Sequence, residues 1–169
     1  MKRAERAKAL FSEGYNCAQA VVLAFAADAG LDEETAKSFS RPLGGGMGRL
    51  RQTCGAVAGA ACASGVLFPE LTKAEAYALV QEIARRFREK NGSINCGELL
   101  TGAGLKTDTA PNPEARTPEY YKNALAPTSF MRHSAPPPPS HTPQKKTKPP
   151  PRGGARAPPP PPPLFNAVT

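Results

Sequence analysis

The sequence is short of most of what a β-fold or a conventional hydrolase needs. It has no tryptophan, only 7 % aromatic residues, and no alternating β-branched run of strand length. A sheet core is therefore not expected, because strands rest on such alternation. Its two histidines, His133 and His141, both lie among prolines near the C-terminus and are poor candidates for a general base. Nothing resembles a Ser/His/Asp arrangement. Long apolar runs are missing as well. The most apolar stretch, Ala56 to Phe68, falls short of the roughly 20 residues of a membrane span. The opening "MKRAERAKALFSEG" alternates charge with alanine and lacks the apolar core of an export signal. A cytoplasmic protein without a membrane role is expected.

Acidic residues are absent from one part of the chain. Residues 1 to 126 carry sixteen Lys+Arg against fourteen Asp+Glu, whereas residues 127 to 169 carry six and none. The net charge of +8 thus sits mostly in the last part, and the rest is close to neutral. A basic groove for nucleic acid is not indicated. Most of the 20 prolines also fall there, in "APPPP", "KPPPRGG" and "APPPPPP". Such composition cannot form helix and buries nothing, so a disordered Pro-rich tail over 127–169 is expected. It reads as a solvated tail, including an out-of-frame end, or as an arm for proline-recognising domains or acidic surfaces.

What remains, residues 1–126, reads as one all-α domain, a small bundle of about five to six helices. Ala4, Ala7, Leu10 and Phe11 recur at helical spacing, and Gly14 stops that segment. Asn16 opens a second helix that Gly30 ends, and "LDEETAKSF" forms a third with acids in its first turn, where the helix dipole favours them. Pro42 and "GGGMG" interrupt the pattern before a fourth helix from about Cys54 to Leu67. The fifth, "LTKAEAYALVQEIARRFREKNG", has a Thr72/Glu75 capping box, an apolar face of Ala76, Leu79, Val80, Ile83 and Phe87, and Gly92 at its end. "NCGELL" adds a helical turn and "TPEYYKNAL" a last short helix.

Chemistry concentrates in the cysteines. In a cytoplasmic setting the four are reduced thiols, ligands or redox groups rather than structural disulfides. Asn16, Thr53 and Asn95 precede Cys17, Cys54 and Cys96, and each is a helix N-cap type. The three thiols are thus expected in first turns, where amides and dipole lower a thiol pKa to roughly 3.5–7.5. Cys62, inside the fourth helix, reads as a small hydrophobe. The intervening lengths fit no compact CxxC zinc pattern, so any shared site must be assembled by the fold. Gly55, Ala56, Gly59, Ala60 and Ala63 give the fourth helix a surface that another helix can approach closely, and Gly55 is expected to leave the Cys54 sulfur uncovered. "GGGMGR", with Arg49 and Arg51, lacks a Walker lysine and a preceding strand. It reads as a flexible lead into the site before it reads as an anion cradle.

"GYNCAQAV" (14–21), "GGGMGRLRQTCGAVAGA" (44–60) and "GSINCGELL" (92–100) together resemble the redox-active proteins named for their C…GCAxxG…C…C cysteine pattern. The resemblance covers roughly residues 1–122. It implies a small, mostly bacterial protein, often encoded beside transporters or oxidoreductases, with a thiol redox role or a prosthetic group such as an iron–sulfur cluster. By that resemblance Cys17, Cys54 and Cys96 are the catalytic thiols, or alternatively ligands of an iron–sulfur cluster or zinc. A redox partner protein or a transporter-associated protein would be the partner. The family's last cysteine, expected after "PEYYKN", is missing, which weakens a four-cysteine ligand set.

Three functions follow as expectations: dithiol–disulfide exchange, an iron–sulfur or zinc carrier, and a helical interaction module acting through its Pro-rich arm. If the family's closing helix is absent, an apolar patch around Tyr120, Tyr121, Leu79 and Ile83 is expected to drive homo-oligomerisation.

Overall fold

A computed structural model describes residues 3–113, 115–118 and 120–121. These all belong to the first of the two units into which the chain divides, 1–136 and 137–169. The expected tail at 127–169, its interaction arm and the boundary at residue 126 lie outside the described residues. Among the described residues there are six helices and no strand: α1 Arg3–Ser12, α2 Cys17–Ala26, α3 Glu33–Ser40, α4 Gly55–Leu67, α5 Lys73–Asn91 and α6 Cys96–Gly102. A single turn of 3-10 helix, Arg41–Leu43, extends α3. Residues 118, 120 and 121 are helical, where the last short helix was expected. None of these helices is long and apolar enough to cross a membrane.

The starts of the helices are fixed by side chains. Asn16 accepts from the amides of Ala18 and Gln19, and Gln19 closes a capping box on α2. Asp32 caps α3 through Thr35, and Asn95 caps α6 through Glu98. The expected box of Thr72 and Glu75 opens α5, and Gly92, with φ of 84°, closes it. Thr53 does not cap α4. The helix begins one residue later than expected, Cys54 itself holds the N-cap position, and Thr53 forms an isolated antiparallel bridge with Asn95.

α2 is the centre of the bundle, packing against α1, α3 and α4, while α5 packs on α4. Seven of its ten residues are buried, which its Ala/Val/Leu composition allows on more than one face. One core cluster joins Leu10, Phe11, Ala20, Val22, Leu23, Ala26 and Ala36; the other joins Val21, Cys54, Ala56, Val57, Ile83 and Phe87. Tyr120 and Tyr121 pack on the first cluster and Leu79 on the second. On α5 only Ile83 and Phe87 are fully buried; Ala76, Leu79 and Val80 are half-buried.

Small residues set the distance between α2 and α4. A methyl group added at Gly59 would lie 2.8 Å from the Ala18 carbonyl oxygen and 3.2 Å from the Val21 Cβ. Gly65, in the same helix, has nothing within 4 Å of that position. Gly59→Ala should therefore destabilise the protein by about 1–3 kcal/mol through overpacking. Gly65→Ala should stabilise it by about 0.5–1 kcal/mol through helix propensity. Urea titrations of both variants check the contrast; equal effects would mean that the helices are not held at this spacing.

Candidate thiol site

The starts of α2, α4 and α6 meet, and each carries a cysteine. Cys17 and Cys96 are the first residues of α2 and α6, and Cys54 is the N-cap of α4. Cys54 and Cys96 are joined by the short pairing at Thr53 and Asn95. The Cys54 amide donates to the Ile94 carbonyl at 2.8 Å, and the Cys96 amide to the Gln52 carbonyl at 2.6 Å. Cys54 opposes Ile94 in this pairing, which makes Cys96 its diagonal neighbour. In a regular ladder such neighbours are about 7–8 Å apart. Cys17 approaches from the other side: a Cβ built on Gly55 would lie 3.3 Å from the Cys17 Cβ. Cys54 therefore neighbours both other thiols.

The glycine-rich segment is what closes this arrangement. A Cβ at Gly44 would fall 2.5 Å from the Asn16 side chain that caps α2, and one at Gly46 would fall 2.6 Å from the Cys96 Cβ. Residues 45–49 all have positive φ, between 56° and 73°. Left-handed backbone costs a non-glycine residue roughly 1–2 kcal/mol, so Met47 and Arg49 are strained here. Arg49 and Arg51 offset that by bonding forward. Arg49 pairs with Asp108 at 3.0 Å and donates to the Ala110 carbonyl, and Arg51 donates to the Asp108 carbonyl at 2.9 Å. The loop is an internal strap across two helix starts, with its arginines engaged by protein, and it does not form the anion cradle that was the second reading.

Burial decides the electrostatics. Cys54 is 4 % and Cys96 8 % exposed, so Gly55 does not leave the Cys54 sulfur uncovered. Cys17 keeps some accessible surface, although it packs on both core clusters. Desolvation pushes the Cys17 thiol from 9.0 up to about 11, a nearby Cys96 thiolate adds to the rise, and the Arg116 guanidinium opposes it. Desolvation raises Cys54 further, helped by the Cys17 and Cys96 charges. The amides of Ala56 and Val57 at the start of α4 oppose the shift without reversing it. The expected lowering of these thiols at helix starts is thus corrected: the dipoles are present and dehydration outweighs them. Cys62 is half-buried against the first cluster, and its thiol is also raised by burial.

The pairing at Thr53 and Asn95 and the contact of Gly55 with Cys17 bring the three helix starts into one neighbourhood. Their cysteines do not form a ligand set for a metal ion. Among the described residues no three His, Cys, Asp or Glu side chains are arranged to hold a metal ion. As placed, the described residues do not gather the donors for the zinc ion of the alternative reading.

Sequence reasoning missed Arg116. Its Nη1 donates to the Tyr15 carbonyl at 3.3 Å across 101 residues of chain. Its guanidinium lies 4.7 Å from the Phe11 ring, 5.3 Å from Tyr120 and 5.8 Å from Tyr121. The neighbouring "EYY" hints at a cation–π contact, but no local pattern puts it beside Cys17.

Because the native fold favours the neutral thiols, their contribution to stability is complete below the ordinary thiol range. It is lost as pH rises from about 9 towards 11. Site-resolved alkylation of the reduced protein should give Cys17 a midpoint near pH 11, with Cys54 labelled later still. A midpoint below about 8.5 at either residue would mean that the helix dipole prevails.

The family model described as "Putative redox-active protein (C_GCAxxG_C_C)" matches residues 15–127, a span that holds all four cysteines, the glycine strap and Arg116. No curated protein and no solved structure matches the chain. With well over half of its length inside that match, the chain belongs to the redox-active C_GCAxxG_C_C family.

Proposed function

We propose that the protein performs dithiol–disulfide exchange, with Cys17 as the attacking thiol and Cys54 as the resolving one. The observation that carries this reading is the contact of Gly55 with Cys17, which sets the residue after Cys54 against the Cys17 Cβ. Access favours Cys17 for the first step, since Cys54 and Cys96 are almost fully buried. The Cys17 thiolate attacks one sulfur of a substrate disulfide. A Cys17–substrate bond forms, the substrate S–S bond breaks, and one substrate thiolate leaves with the electron pair. Cys54, deprotonated, then attacks the Cys17 sulfur and expels the second substrate thiolate. The substrate gains two electrons and the protein holds a Cys17–Cys54 disulfide.

The raised thiol pKa values bear on the direction of electron flow. A strong protein oxidant owes its character to a stabilised thiolate in its reduced form. Here burial withholds that stabilisation from Cys17 and Cys54. Such a pair is better suited to giving electrons than to taking them.

Peptide mapping after equilibration in glutathione buffers should recover a Cys17–Cys54 link. Cys54→Ser should arrest the protein as a mixed disulfide on Cys17. Oxidation confined to Cys62, or a Cys17 that never enters a disulfide, would overturn the assignment.

A further inference from the structure

We propose that Arg116 is the anion-binding residue of the thiol site and selects disulfide substrates that carry a carboxylate beside the reacting sulfur. The proposal rests on Cys17 being the attacking thiol.

A guanidinium offers five N–H donors in a plane. Arg116 uses Nη1 on the Tyr15 carbonyl, two residues before Cys17, and none of the described residues supplies it with a carboxylate. Other arginines of the fold are neutralised: Arg3 pairs with Asp28, Arg49 with Asp108, and Arg85 and Arg86 with Glu82. Arg116 is instead held by the faces and edges of Phe11, Tyr120 and Tyr121, which fix the plane of the group without cancelling its charge. Phe11 and Tyr121 are themselves arranged edge to face, with centroids 5.8 Å apart, so the cage is internally packed. The bond to the Tyr15 carbonyl holds the cation beside the start of α2, near enough to Cys17 to favour its thiolate.

A half-buried guanidinium with spare parallel donors matches a carboxylate two-pronged. A substrate bound this way presents its disulfide to the more accessible thiol. Arg116 contributes orientation and attraction; the bond made is Cys17 to substrate sulfur, and the electron pair leaves on the substrate's other sulfur, as above.

The test compares three disulfides on the reduced full chain: the dianionic dithiobis(nitrobenzoate), the neutral dithiodipyridine and the cationic cystamine. The initial rate at Cys17 is read by mass spectrometry and divided by the rate of a free small thiol with the same reagent. The wild type should favour the dianion over the neutral reagent and disfavour the cation. Arg116→Met, which retains the packing, should lower the rate with the dianion about fivefold, the scale of one partly exposed ion pair. The same change should leave dithiodipyridine within about twofold, and Arg116→Lys, which keeps the charge without the two-pronged fit, should recover only part of the preference. A wild-type Cys17 with no charge preference, or an Arg116→Met loss equal for all three reagents, would overturn the recognition role while leaving exchange at Cys17 intact. A Cys17 inert to all three would overturn the exchange reading itself, and this proposal with it.

Discussion

Between α2 and α4 there is no room for a side chain. Gly55 and Gly59 face the backbone of Ala18 so closely that a methyl group at either position would come within about 3 Å of main-chain atoms. This contact brings the start of α4, and with it Cys54, against the start of α2 and Cys17. The glycine strap then draws in α6, because Gly46 leaves no space between its own backbone and Cys96. Three helix starts that are far apart in sequence are thereby held in one place by missing side chains, with few specific bonds between the thiols themselves.

The same closeness sets the chemical character of the site. A helix start favours a negative charge by roughly 0.3–1 kcal/mol. The rise of the Cys17 thiol from 9.0 to about 11 favours the neutral form by more than that, on the order of 3 kcal/mol. Dry packing therefore wins over the dipole, and Arg116 recovers only part of the difference at Cys17. The chain belongs to a family described as redox-active, and in its fold the thiols are kept dry and neutral.

Much of this was legible in the sequence. Asn16, Thr72 and Asn95 are short-range signals, complete within four residues, and each caps the helix it announces. Gly55 and Gly59 announced a close helix contact, although the identity of the partner, α2, had no local mark. Three expectations failed for a shared reason. Thr53 pairs with Asn95 instead of capping α4, Cys54 is covered despite Gly55, and the thiol pKa values rise instead of falling. Each depends on what the fold lays over a residue, which local pattern does not contain. Arg116 is the extreme case: its neighbours Phe11 and Tyr15 lie about a hundred residues earlier, and nothing periodic links them.

A thiol kept neutral by the fold is also sheltered by it. In an unfolded chain Cys54 would titrate near 8.5, so roughly a few per cent would be thiolate at neutral pH. Oxidants that act on thiolate would then find molecules that have come apart more readily than native ones. A sulfinic group added there would have to be buried with its charge, since the fold covers Cys54 almost completely. Under oxidative stress the lifetime of the protein is then governed by how often it opens, and the chemistry of its folded site matters less.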